Sequence, residues 1–447
     1  MLIFNALQNY IHMKKSILFS LMFVLISLLI NDIVSAQKNE WVKQVIVVNG
    51  GKFESIPTPA DYVTIQSYNP VTKQTTVFGT IYTQSTQDVI IKGNFAYVAA
   101  QDSIVKYDID TYQRVAAVAD SGLSKLCIID NRLIVTKQYP VKRFFVEILN
   151  ADDLSLLSRV QNISGDCGDA VAANDSLYVA VNGGGNGTEG KLAVIATNSW
   201  TLKREVNFGT AAKGIMNLFA NNVYINAVCL SPEGSQNVGN ITRYAHNSPA
   251  FTNYTLDVKL GEGYGVLDSL LYVKMNFGIG TFNLFSYQIQ DPELIPDPGY
   301  VDRIIFSSAA TDYVNKLLYL NLGNMITFGR GIIATNAGDS IGSYPTGLNA
   351  NAIAIDFRTP VGIDAQPDSP QFSIFPNPVR NELIVNLLNQ SLIQNIRISD
   401  LTGKSHSISF SRKDGLITVN CSNLSRGMYF LTLKTNQGIL TQKFIKE

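Results

Sequence analysis

Between Val45 and Phe357 a pattern of short apolar runs and tight turns returns at nearly even intervals. Its clearest copy reads Val89-Ile90-Ile91, a Gly93-Asn94 turn, Tyr97-Val98, an alternating run from Ile104 to Ile109, and a turn over Asp108 to Thr111. Few architectures accept such a unit. A period of about 40 to 50 residues with about four strands per copy is the signature of a β-propeller.

Two anchors locate the copies. The first is an aromatic or branched residue in the second strand: Val47, Tyr97, Ile134, Tyr178, Tyr224, Tyr272 and Tyr319. From the second copy on, an Asn or Asp precedes it (Asn94, Asn131, Asn174, Asn222, Asp268, Asn315), the residue types that tolerate left-handed backbone in a tight turn. The second anchor is the turn after the third strand, starting at Asn69, Asp108, Asn150, Ala196, Ala245, Gln288 and Ala334, in steps of 39, 42, 46, 49, 43 and 46 residues. Seven copies of both anchors in the same order predict seven blades. The first copy opens at Val45-Ile46-Val47-Val48 without an innermost strand of its own, and Ala352 to Phe357 follows the seventh copy with no blade after it. These two segments are expected to pair and close the ring, removing the open sheet edges.

The balance of 35 basic and 35 acidic residues gives no net charge, so no basic stripe recommends nucleic acid or an anionic membrane as partner. Ahead of the repeats, Met13-Lys14-Lys15, an apolar run from Ile17 to Ile30 and the small-residue site Val34-Ser35-Ala36 read as an export signal cut between Ala36 and Gln37. The run is too short for a stable membrane span, so no transmembrane segment is expected in the mature protein. Cys127, Cys167, Cys229 and Cys421 show no paired spacing and read as buried free thiols. Only His246 and His406 lie beyond the signal, which argues against a histidine-rich metal site, and no cofactor is expected.

The repeated Asn-x-x-Tyr-Val, with strands ending like Tyr107-Asp108-Ile109-Asp110-Thr111, resembles the YVTN-type and quinoprotein-amine-dehydrogenase-like seven-bladed propellers of exported bacterial proteins. The opening Val47-Val48-Asn49-Gly50-Gly51 is similar to that of a cell-surface subgroup. The resemblance implies the fold and leaves the activity open.

From Arg358 to Gln371 a polar run with Pro360, Pro367 and Pro370 reads as a linker. Beyond it, period-two alternation and glycine turns predict a small antiparallel sandwich. This last segment resembles the type A C-terminal sorting domain of the type IX secretion system. The matching residues are Pro376-Asn377-Pro378, Asp400 with Gly403 and Lys404, Gly427 with Tyr429, and Lys443 in the terminal Lys-Phe-Ile-Lys. Met428 stands where the family usually carries Ile or Val. The resemblance implies the type IX machinery as a partner, removal of the domain, and a mature protein that is secreted or attached to the outer surface. The expected organisation is therefore a signal peptide (1–36), a short segment (37–44), an all-β seven-bladed propeller (45–357), a linker (358–371) and the sorting sandwich (372–447).

Aligning the residues just before each innermost strand collects Asp88, Lys125, Asp169, Lys213, Tyr264 with Glu262, Asp312 and Asn351, an expected ring of acids and bases at the channel mouth. Such a ring either caps strands or holds a polar extracellular ligand, such as a glycan, a zwitterionic small molecule or a protein. The glycine-rich loop Asn182 to Gly187 lacks the Lys-Ser/Thr and the helix of a phosphate loop. Cys167, between Asp166 and Asp169, is a poor nucleophile. Four Asp-Ser-Ile/Leu triplets, beginning at Asp102, Asp175, Asp268 and Asp339, resemble O-glycosylation acceptors of bacteria with this secretion route. The expected function is a binding or scaffold propeller. The alternative is an extracellular lyase, glycan hydrolase or quinone-dependent oxidoreductase using acids such as Asp169, Glu262 and Asp312.

Overall fold

The computed structural model describes residues 40–51, 62–182, 189–221, 223–230, 238–246, 248–276, 278–296, 298–299, 304–324, 329–359, 372–387, 393–401, 403–413, 416–435 and 438–447. The Ala36-Gln37 site, Asn222, most of the glycine-rich loop and nearly all of the linker lie outside them. Two compact units are present, one of them spanning Asn39–Thr359.

That unit holds seven four-stranded antiparallel sheets among the described residues. Six run in chain order from inner to outer strand, with inner strands Thr86–Lys92, Leu123–Ile129, Cys167–Ala173, Ile215–Ala220, Leu260–Leu267 and Ile305–Asp312. The first blade is composite: its inner strand is Ala350–Arg358, followed by Trp41–Asn49, Val63–Asn69 and Gln74–Ile81. Val45 pairs with Ile355, Ile46 with Ala354, Val47 with Ile353 and Val48 with Ala352, as the closure argument requires. Each inner strand touches the next, and Ala350–Arg358 touches both Ile305–Asp312 and Thr86–Lys92, so the ring is closed. The seam is also clamped by charge. Arg358 reaches Asp356 on its own strand and Asp110 of the second blade, Asp110 also takes Lys43 at 2.7 Å, and Gln44 donates to both Asp356 and the Ile109 carbonyl.

The core is divided among the joints, with one buried apolar cluster between each pair of neighbouring blades. Strand alternation sends successive residues to opposite joints, so a shift of one residue changes the joint served. For that reason the first anchor is corrected in two copies. The residue paired like Tyr97 is Ile46, not Val47, and Asn226, not Tyr224. Tyr97 and Tyr272 earn their place through the hydroxyl, which donates across the joint to Ala151 O (2.8 Å) and Asn336 O (2.9 Å) in the following blade's turn.

Those turns share one construction. Asn69 Oδ1 accepts the N–H groups of Val71 and Thr72, Asp108 Oδ1 those of Asp110 and Thr111, and Asn283 Oδ1 those of Phe285 and Ser286. The fifth residue then turns left-handed: Lys73, Tyr112, Leu154, Trp200 and Tyr287 have φ between 54° and 64°. The sixth copy thus turns at Asn283, and the expected turn at Gln288 falls instead in the outer strand Gln288–Ile295. In the continuous blades the two anchor turns lie side by side, because the later turn donates to the earlier: Ile109 N to Asn94 O, Ala151 N to Asn131 O and Leu284 N to Ser269 O.

The other unit contains two four-stranded antiparallel sheets. One orders Phe372–Phe375, Glu382–Leu387, Leu416–Asn420 and Ser409–Lys413, and the other Ser405–His406, Ile393–Asp400, Gly427–Thr435 and Gly438–Lys446. Phe372, Leu383, Val385 and Val419 from the first meet Ile398, Leu431, Leu433 and Phe444 from the second in a single core, which makes this a sandwich.

Candidate functional site at the axial mouth

The inner strands open with a common local sequence: an apolar or small residue first, a polar one third, an apolar or small one fourth. The segments are Thr86-Gln87-Asp88-Val89, Leu123-Ser124-Lys125-Leu126, Cys167-Gly168-Asp169-Ala170, Ile215-Met216-Asn217-Leu218, Leu260-Gly261-Glu262-Gly263 and Phe306-Ser307-Ser308-Ala309. In all six the pairing register shifts within these four residues, as a β-bulge does. Bulges leave backbone groups unpaired in their own sheet and redirect side chains.

The third side chain repairs the neighbouring blade. Asp88 Oδ2 accepts the N–H of Leu126, Asp169 Oδ2 that of Leu218 and Asn217 Oδ1 that of Gly263, each at 2.8 Å. The acceptor is always the third residue of one blade and the donor the fourth residue of the next. Across the last joint the Ser307 and Ser308 hydroxyls donate to Ala350 O at 3.0 and 2.5 Å. These groups are inter-blade fasteners, and most of their polar capacity is already used.

Lys125 and Glu262 differ from them. The Lys125 ammonium stands 3.7 Å from Asp88, with side-chain exposures of 30% and 18%, because both open toward the axis. The Lys125 pKa is raised, chiefly by Asp88 against the opposing effect of burial, with Glu262 and Asp169 adding to the pull. Burial outweighs the nearby ammonium and the N–H bonds for Asp88, whose carboxyl is raised, and it pushes Asp169 up to about 6. Three carboxylates therefore act on the Lys125 ammonium, and a second cation, Lys274, packs against Gly261 and donates to Phe306 O at 3.4 Å. Glu262 makes no hydrogen bond or ion pair among the described residues and remains available at the axis.

Of the residues expected in the ring, Asp88, Lys125, Asp169 and Glu262 share the third position. The other four do not. Lys213 precedes its inner strand, behind the short 3-10 turn Thr210–Ala212, and the third position of that blade is Asn217. Tyr264 is buried between the sixth and seventh blades with Leu267, Tyr272 and Phe306, and its hydroxyl has no partner. Asp312 ends its strand at the opposite face of the ring, where it is fully buried and accepts the N–H groups of Val314 and Asn315 at 2.9 Å. Asn351 is the exposed second residue of its strand. Asn217 and Ser308 were missed. Aligning the apolar first and fourth residues, instead of counting back from the apolar run, would have found them.

The thiols sit in apolar surroundings. All four are free, and burial raises Cys127 and Cys229 to about 12 and Cys421 to about 11, while Cys167 is raised by burial and then by Glu205 and Asp166. Among the described residues no group of three or more His, Cys, Asp or Glu is placed to hold a metal ion, and no helix is long and apolar enough to cross a membrane.

In the sandwich the expected motif residues hold the terminal strand and its turns. Asn377 Oδ1 accepts Ile445 N (2.9 Å), while Val379 N donates to Ile445 O and Glu447 N to Val379 O. Asp400 accepts Lys404 N at 3.1 Å and faces His406 Nε2 at 2.9 Å, Gly403 takes φ 80°, and Tyr429 Oη donates to Ser425 O at 3.0 Å. Gly427 and Lys443 lie in the paired terminal strands, opposite Lys446 and Phe430. The Pro376 and Pro378 segment lines a cleft of about 710 Å³ with Arg380, Glu382 and Glu447.

The chain is thus a closed seven-bladed β-propeller carrying a separate C-terminal β-sandwich. Residues 373–447 match the family described as the secretion system C-terminal sorting domain. The sandwich is such a domain, and it marks the chain for export through the type IX route to a secreted or surface fate. No curated protein matches the chain. Solved structures with similar folds include the Kuenenia stuttgartiensis hydrazine synthase (11% identity, 67% of this chain and 95% of that one, TM-score 0.47). BamB from Moraxella catarrhalis is 12% identical over 87% of this chain and 99% of its own, with a TM-score of 0.42. The β-propeller domain of Cps50 (Swd1) from Myceliophteria thermophila is 8% identical over 63% and 95%, with a TM-score of 0.46.

Proposed function

We propose that this protein is an exported binding module whose propeller holds a polar extracellular ligand at its axial mouth. The leader is removed between Ala36 and Gln37, and the sorting domain is removed after it has delivered the propeller, which is released or attached at the outer surface. The observation that carries the binding reading is Glu262: an axial carboxylate without a partner among the described residues, beside an ammonium that its neighbours hold charged. A group able to donate hydrogen bonds or carry positive charge fits Glu262, and an acceptor fits Lys125. That pairing suits a zwitterionic or polyhydroxylated ligand, a glycan included, better than a phosphate.

The test is a thermal-shift screen of the purified protein against amino sugars, neutral oligosaccharides and zwitterionic amino compounds. A ligand at a hundred times its Kd adds about 2.7 kcal/mol to stability. Binding that Glu262→Gln and Lys125→Met both weaken supports the axial site, and a ligand recovered chemically changed would turn the reading toward an enzyme. Binding untouched by both substitutions would place the site elsewhere. For the export reading, a chain ending at residue 371 should fail to reach the surface or medium on cell fractionation.

A further inference from the structure

The joint between the fourth and fifth blades differs from the one between the second and third. In the second blade, the row across the sheet is Tyr97, Lys106 and Ala116. Tyr97 and Lys106 both donate to Ala151 O of the next blade, and Lys106 also to Asp152 O, so that joint is filled and its cation capped. The same row in the fourth blade is Tyr178, Val194 and Arg204. Directly paired residues share a face, so all three point at the fifth blade.

The second residue of the fifth blade's turn, equivalent to Ala151, is His246, and its imidazole takes the place of a carbonyl partner. His246 Nε2 lies 2.8 Å from Asn221 O, which can only accept, and Nδ1 lies 3.1 Å from Tyr178 Oη. With valine where the second blade has lysine, a cavity of about 270 Å³ remains, lined by Ser176, Tyr178, Lys203, Arg204 and His246, with Asp175 at its lip. Arg204 directs Nε and Nη2 at the single neutral oxygen Tyr244 Oη, at 3.2 and 2.6 Å, and pairs with no carboxylate among the described residues. Lys203 Nζ donates to Ser176 Oγ at 3.0 Å. The one acid, Asp175, is 85% exposed and reaches Lys203 at 3.4 Å, a solvent-facing pair of small worth.

We propose that this cavity is a second binding site, independent of the axial mouth, for the oxyanion group of an acidic ligand, held by the Arg204 guanidinium and the Lys203 ammonium. A guanidinium presents five donors in a planar fork suited to two oxygens of one anion, and here most of that fork is unused. The volume admits a single anionic group, with the rest of the ligand outside. Sulfate, phosphate and the carboxylate of a uronic acid share this chemistry.

Isothermal titration of the full chain with inorganic sulfate, inorganic phosphate and glucuronate, each in 50 mM sodium chloride, tests the site. At least one should bind saturably at one site per chain, Arg204→Gln should weaken it by about tenfold or more, and Lys203→Gln by a smaller factor. Preference for the two inorganic ions would assign a sulfated or phosphorylated ligand, and preference for glucuronate an acidic sugar. Glu262→Gln should leave the binding unchanged. Both substituted residues lie on an outer strand, and unchanged unfolding midpoints would show that the variants fold. No saturable binding of any of the three, or equal affinity in Arg204→Gln, overturns the proposal.

Discussion

Replacing Asp169 with asparagine should leave the propeller at least as stable at pH 7.5, whereas the alanine variant should be about 1–3 kcal/mol less stable than the asparagine variant. The carboxylate accepts Leu218 N–H across a joint and Ala170 N–H beside it, and alanine would leave a bulge N–H without its acceptor. Asparagine keeps an oxygen there. The chain already uses that solution one blade on, where Asn217 caps Gly263 at the same 2.8 Å. Charge adds a second effect. Burial lifts the Asp169 carboxyl from 3.8 to about 6, so carrying it ionised costs on the order of 3 kcal/mol at neutral pH. Between those values the native state holds a proton that the unfolded chain has released, so this group's contribution falls as pH rises from about 4 to 6. The wild type should lose stability over that window through this residue, and Asp169→Asn should lose less. Urea unfolding of both variants and the wild type at pH 5 and 7.5, followed by tryptophan and tyrosine fluorescence, measures each difference. An alanine variant as stable as the asparagine variant would refute the fastening role.

Further outcomes follow from the same geometry. Tyr97→Phe and Tyr272→Phe each remove one hydroxyl that crosses a joint and should each cost about 1 kcal/mol; their blades are not neighbours, so the double variant should sum in a denaturation series. Deleting residues 350–358 removes the inner strand of the first blade and should abolish cooperative unfolding, visible by calorimetry. Phe444→Ala, in the sandwich core, should cost about 3–5 kcal/mol in that unit and reduce the exported fraction. The native thiols should resist a thiolate-selective reagent at pH 8 and react once urea is added, since burial holds them above their ordinary range.

The repeat exposed the blade count and the composite first blade because turn chemistry and alternation are local, and the closing strand was the only segment left unpaired. The motif residues of the sandwich were equally legible, being turn and strand-end groups. The channel mouth was read only in part. Asp88, Lys125, Asp169 and Glu262 share one position, but it is the third residue of the inner strand and not the residue just before it; Lys213 precedes its strand behind the short turn at Thr210–Ala212, and Asp312 lies at the other end of its own. Counting back from an apolar run fails where a bulge adds a residue. The use of Asp88 and Asp169 as caps for another blade depends on contacts about 40 to 50 residues away, which no local pattern reports. The Arg204 cavity was hidden for a related reason, since it comes from the pairing of Val194 with Arg204 and from His246 in a neighbouring blade.

The composite first blade also sets the order of events as the chain folds. Val45 and Ile355 are partners about 310 residues apart, and joining ends so distant costs roughly 5 kcal/mol of chain entropy. Trp41–Asn49 is among the first strands to be made, and its neighbour is the last of the ring. Until residues 350–358 are made, that early strand has one bare edge, and the six continuous blades can form only an arc. Completion is therefore a late, slow step of high contact order. A chain truncated or stalled before residue 350 keeps an open edge able to recruit another strand.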